Sequence, residues 1–205
     1  MAENDNLKEQ AKQAVERGED IRNRIRDVTL EALTNRRFDR ENIREVVRAV
    51  SEGIASGAEG SRVGLRSALA EGLRGTDLAL TKSVEAGQQA LRQLISTGRG
   101  ISDNELKQAL SGLAKIGDDF VATVNQVADS ASERVRPELR DLVRQSVHAG
   151  TETGRRSAEL MAEFTLTGIE IAGEFGARFA QLAGGVLSAM AEALESPRGE
   201  TKKPR

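Results

Sequence analysis

The sequence predicts an all-α protein, an elongated antiparallel helical bundle of two αα-hairpins whose helices run short, long, short, long. Three observations carry that expectation. Only three prolines occur in 205 residues, at 137, 197 and 204, so breaks are few and the helices long. Apolar or small residues recur at alternating four- and three-residue intervals, the spacing of a helix that packs along a partner. Tryptophan and tyrosine are absent and five phenylalanines make up the aromatic 2 %. The core must therefore be built from Leu, Ile, Val and Ala, without the ring contacts that dominate many globular interiors.

The first helix is expected from about Asp5 to Leu33, with Leu7, Ala11, Ala14, Gly18, Ile21, Ile25, Val28 and Ala32 on its seam. Thr34–Phe38 reads as a turn, and Asp39 as the N-cap of a second helix that extends to Ser96. Along that helix Ile54, Ala58, Leu65, Leu69, Thr76, Leu80, Gly87, Leu91 and Ile95 repeat close to every 11 residues per three turns, which keeps a seam on a nearly straight rod. Gly53, Gly57, Gly60 and Gly64 lie beside the seam. Each costs a helix interior roughly 1 kcal/mol against alanine, so either the helix breaks or a partner backbone comes close. Close approach is the preferred reading, and whether the rod bends at 53–64 or at Gly72–Gly75 stays open. STGRGIS ends the pattern, and Ser102 with Glu105 forms a capping box for a third helix carrying Leu106, Leu110, Leu113, Gly117, Phe120, Val124, Val127 and Ala131. Pro137 suits the first turn of a fourth helix, expected to reach about Glu195. SPRGETKKPR reads as a disordered tail over 197–205.

The halves superpose in sequence. Leu7–Leu33 aligns without gaps on Leu106–Ser132, with Leu7/Leu106, Lys8/Lys107, Gly18/Gly117, Asp20/Asp119, Val28/Val127 and Ala32/Ala131 identical. REVVR at 44–48 then meets RDLVR at 140–144, and Gly53 and Gly57 meet Gly150 and Gly154. Self-similarity at a fixed offset marks a repeated unit. The expectation is an internal duplication, with one hairpin repeat over 1–100 and the other over 101–196.

Composition excludes much chemistry. With no cysteine there are no disulfides or thiolate sites, and a single histidine, His148, rules out multi-His zinc centres within one chain and leaves one residue on which any His-based triad would have to rest. His148 stands between Arg144 and Glu152 on a helix, a setting for a surface side chain in an i±4 pair. The acidic pairs Glu19–Asp20 and Asp118–Asp119 are expected on solvated faces, and no Glu-x-x-His motif supports a carboxylate metal site. Arg36, Arg40, Arg44 and Arg48 form an i, i+4 row, echoed by Arg134, Arg136, Arg140, Arg144 and Arg155–Arg156. Acids interleave the row, no aromatics accompany it, and 30 basic against 32 acidic residues leave a net charge of −2, which argues against nucleic acid and for an ion-paired solvated face. No phosphate-loop motif occurs. The expectation is a protein without catalytic, cofactor or metal residues.

The N-terminal MAENDNLKEQAKQ lacks the apolar run of a signal peptide, and Phe175–Ala191 is too short and carries Arg178, so neither a leader nor a membrane span is read and a cytoplasmic, bacterial protein is expected. From Leu160 the fourth helix is apolar over more than half its circumference. Leu160, Phe164, Ile171, Phe175, Phe179, Leu182, Val186, Leu187, Met190 and Leu194 are its candidate interaction surface.

The segment LKEQAKQAVERGEDIRNRIRDVTLEAL, followed by FDRENIREVVRAVSEG, resembles an uncharacterised family of proteobacterial helical proteins, a domain of unknown function, and the resemblance runs the whole length. The composition alone is similar to that of phasins, small cysteine-free amphipathic helical proteins that coat polyhydroxyalkanoate granules. That likeness implies adsorption of the apolar stripe to a hydrophobic granule or a membrane surface. The alternative is a homo-oligomeric scaffold or coiled-coil adaptor whose stripe is covered by another copy.

Overall fold

The computed structural model describes residues 2–96 and 103–165, and among these it contains eight α-helices. They are α1 (Ala2–Arg17), α2 (Ile21–Thr34), α3 (Arg40–Glu59), α4 (Leu65–Ser96), α5 (Asp103–Ala114), α6 (Ile116–Ser130), α7 (Val135–Ala149) and α8 (Glu152–Thr165). The described residues are all-helical, as the spacing and proline count predict, but the rods expected over 5–33, 39–96 and 137–195 are interrupted.

Left-handed backbone explains the interruptions. Gly18 (φ 74°) and Asp20 (φ 50°) both leave the helical region, and Asp20 steadies itself by accepting a 2.6 Å bond from Asn23 Nδ2. Aspartate is among the few side chains that tolerate this region. Two such residues so close together reverse the chain. The reversal is visible at the far end, where Arg36 Nη2 donates to Asn4 Oδ1 at 2.6 Å, so α2 returns along α1. Gly64 (φ 89°) marks the second reversal, between α3 and α4. The turn expected at Thr34–Phe38 is present, with Phe38 buried, and Asp39 caps α3 by accepting from Asn42 N at 3.0 Å.

Two later breaks bend the chain without reversing it. Lys115 separates α5 from α6 while helix-type bonds continue through it (Lys115 N to Ser111 O, Asp119 N to Lys115 O). Gly150 (φ 76°) separates α7 from α8. Both of these helices run alongside α4 in the same sense, because Arg66 reaches Glu138 and Asp141, Asp77 reaches Glu152 and Thr153, and Gln88 reaches Arg156. Gly18 and Gly117, equivalent in the sequence alignment, therefore sit in unlike geometry.

The helices form two parallel rows. Lys8 pairs with Glu52 at 2.9 Å and the Ser61 hydroxyl donates to Val15 O, so α1 and α3 run the same way. Arg40 and Arg44 meet Asp119, and Arg48 meets Gln126, so α6 runs with α3. The chain reversals place α2, α4 and the α7–α8 rod in the opposite sense. One core cluster extends from Leu7 to Leu160 across both sequence halves. Leu69, Thr76, Leu80, Gly87 and Leu91, five of the predicted seam positions, are buried in α4, the central helix of its row. On the first seam Leu7, Ala11, Ala14, Ile21 and Ile25 are buried as expected, but beyond Ile25 the buried face passes to Thr29, Leu30 and Leu33 and leaves Val28 and Ala32 partly covered.

The glycines of the second predicted rod both break and pack. Gly64 belongs to the break. Gly53 and Gly57 are interior to α3, where a Cβ on Gly53 would overlap the Lys8 carbonyl oxygen and one on Gly57 would lie 2.5 Å from Lys12 O. In α4, Gly72 and Gly75 cause no bend. A Cβ on Gly72 would stand 2.7 Å from Ile54 Cγ2, and one on Gly75 would overlap Arg22 O. These sites test the packing directly. Gly57→Ala should lose about 1–3 kcal/mol, the usual cost of overpacking, whereas Gly60→Ala, with nothing within 4 Å, should change stability by under about 0.5 kcal/mol. Urea unfolding midpoints measure the contrast, and equal midpoints would refute the close approach.

Candidate functional site

Polar chemistry gathers where α6, α7 and α8 meet α3 and α4, and Asp119 is its centre. Asp119 is only 7 % exposed, although the sequence pattern places it on a solvated face with Asp118. The correction has a simple cause. Asp119 flanks the buried α6 positions Ile116, Phe120 and Thr123, so docking of α6 on α3 covers it too. Glu19, Asp20 and Asp118 remain exposed as expected.

A carboxylate so covered requires charge-assisted donors. Arg40 supplies two, Nε to Oδ2 at 2.5 Å and Nη2 to Oδ1 at 2.8 Å, and Arg44 adds Nη2 to Oδ1 at 2.6 Å. Their i, i+4 spacing on α3 puts both guanidinium groups on one face. Burial pushes the Asp119 carboxyl up, but the hydrogen bonds from Arg40 and Arg44, with their charges, outweigh it and hold the group below the ordinary aspartate value.

The arginine row is thus an interhelical fastener that stays solvent-exposed at Arg40, Arg44 and Arg48, as expected of an ion-paired solvated face, and is covered at Arg36. Arg36, whose side chain is 9 % exposed, ties the end of α2 to Asn4 and lies 3.7 Å from Glu45. Arg48 donates to Gln126 at 3.0 Å. In the second row Arg136 donates to Ala131 O and Arg140 to Asp129, closing the α6–α7 turn. Arg66 extends the same chemistry to α7, contacting Glu138 at 2.7 Å and Asp141 at 2.6 Å. Within the first four helices, Arg22 on α2 grips Glu71 on α4, and that hydrogen bond lowers the Glu71 carboxyl.

Asp77 performs a different task. From the middle of α4 it accepts from Glu152 N at 2.9 Å and Thr153 N at 3.2 Å, capping α8 from another helix. Thr153 Oγ1 bonds the Asp77 carbonyl and lies 3.1 Å from Thr81 Oγ1. Thr151 Oγ1 adds a local cap by accepting from Gly154 N at 2.9 Å, a helix start the expected 137–195 rod does not include, and nothing local to it points to residue 77.

An open groove of about 440 Å³ lies between α1 and α3, lined by Asp5, Lys8, Glu41, Arg44 and Glu52 among others. It mixes both charge signs, and Lys8–Glu52 bridges it, so it offers no concentrated field for an anion or a cation. His148 is exposed near the end of α7.

Of the candidate interaction stripe, Leu160 is 1 % exposed and belongs to the core, so it is spent within the chain. Phe164 falls in the last turn of α8. Ile171, Phe175, Phe179, Leu182, Val186, Leu187, Met190 and Leu194, like the capping box at Ser102 and the tail at 197–205, lie outside the described residues. No described helix is long and apolar enough to cross a membrane.

Two outcomes follow from the polar cluster. Because the folded-state value of Asp119 is depressed, its stabilisation is complete above about pH 5 and is lost as pH falls through that lowered value. Asp119→Asn should cost about 1–3 kcal/mol at pH 7 and flatten the fall in urea midpoint between pH 5 and 2. An unchanged slope would refute the assignment. Asp77→Ala should cost about 1 kcal/mol, as loss of an N-cap does, and should speed amide exchange at Glu152 and Thr153. Unaltered exchange there would show that α8 does not depend on Asp77.

No curated protein and no solved structure matches the chain. A family of unknown function, DUF6781, matches residues 1–196. With nearly the whole sequence covered, the chain belongs to that family.

Proposed function

We propose that the protein is a non-enzymatic, amphipathic helical protein of the cytoplasm that coats a hydrophobic granule or lipid surface through the apolar stripe carried by Phe164, Ile171, Phe175, Phe179, Leu182, Val186, Leu187, Met190 and Leu194. The observation that supports this reading is how fully the described helices satisfy themselves. Among the described side chains only Val63 (45 %) and Val147 (60 %) are exposed large apolar ones, and the arginines that could have formed a ligand face are engaged with carboxylates and amides. The most apolar part of the sequence follows beyond this closed set. Adsorption through such a stripe would strengthen with the apolar area it buries. The sequence repeat is read as a duplication whose copies bend differently at equivalent glycines.

A homo-oligomeric scaffold is the second reading, favoured by the same stripe if another copy covers it. Flotation of the purified chain with phosphatidylcholine–phosphatidylglycerol vesicles, together with light scattering, separates the two. The coating reading expects co-flotation at physiological salt that Phe175→Glu with Phe179→Glu abolishes, with helix content retained. Loss of a dimer or tetramer in that variant, without flotation of the parent, would establish the scaffold instead. Global unfolding of the variant would refute both, because the two phenylalanines would then be interior.

A further inference from the structure

We draw no further inference here: the strongest candidate, the open groove between α1 and α3 lined by Asp5, Lys8, Glu41, Arg44 and Glu52, interleaves carboxylates with cations that Glu52 and Asp119 already engage, and nothing among the described residues shows what would occupy it.

Discussion

The close approach of α3 to α1 is the constraint from which the rest of the arrangement follows. A helix normally keeps a neighbour at 8–10 Å because side chains stand between the axes. Gly53 and Gly57, one turn apart, remove those side chains and let the α1 backbone settle on α3 at Lys8 and Lys12. Two helices so placed share a direction, and that fixes the others. α1 and α3 can be parallel neighbours only if the chain returns between them, so α2 must fold back on α1. That requirement is met by the left-handed pair Gly18 and Asp20. The return of α4 then lies beside α2, where Gly75 repeats the same backbone contact against Arg22.

The cost of this construction also explains where the charges went. Six or more interior glycines forgo helix propensity at roughly 1 kcal/mol each, and the aromatic-poor composition offers few large side chains to compensate. The first four helices recover the loss through tight apolar contact around Ile25, Leu30, Ile54, Leu69 and Leu80, all nearly inaccessible to water. The α6 and α7 helices bury Phe120, Val124, Val127, Leu139 and Val143 in the same core and add guanidinium–carboxylate pairs to it. Such pairs specify register well, since Arg40 and Arg44 accept one carboxylate and no other position of α6 offers one facing them, but they add little net stability once desolvation is subtracted.

Much of this was legible in the residues, and the parts that were not share a cause. Helix periodicity, the turn before Asp39, its capping role and the α4 seam all follow from local rules, and the structure agrees with each. The heptad pattern could not reveal that the first rod folds back. Leu7 to Ala32 keeps its spacing straight through Gly18, so a continuous helix and a hairpin of two helices write the same pattern. Only the conformation at Gly18 and Asp20 tells them apart, and Gly117, in the aligned position, shows that glycine alone does not decide it. The arginine row was visible, yet its partner was not. Asp119 looks solvated on its own helix and becomes interior only when a segment 75 to 79 residues away lies across it. Asp77 as the cap of α8 was hidden in the same way, because local sequence carries no trace of a donor and acceptor brought together from different helices. The stripe was read as continuous from Leu160, and the structure ends that reading at its first member, which the core absorbs.

The division between backbone-seated and side-chain-bridged contacts bears on how such a protein could work without a pocket. A surface-active chain faces opposing demands: it must hide apolar residues while free and offer them on contact. A bundle closed throughout by glycine contacts would meet only the first demand, because opening any seam would forfeit dispersion with nothing in return. A bundle closed throughout by charges would meet neither, since its interior would be too wet to fold around so few large side chains. The α1–α4 unit is seated backbone to backbone at Gly53, Gly57 and Gly75, while the seam to α6–α8 combines buried apolar side chains such as Phe120, Val124 and Leu139 with bridges at Asp119, Arg66 and Asp77. The bridge at Asp119 makes this docking specific: a carboxylate buried between two arginines fits a single docked register, because any other would leave it without donors.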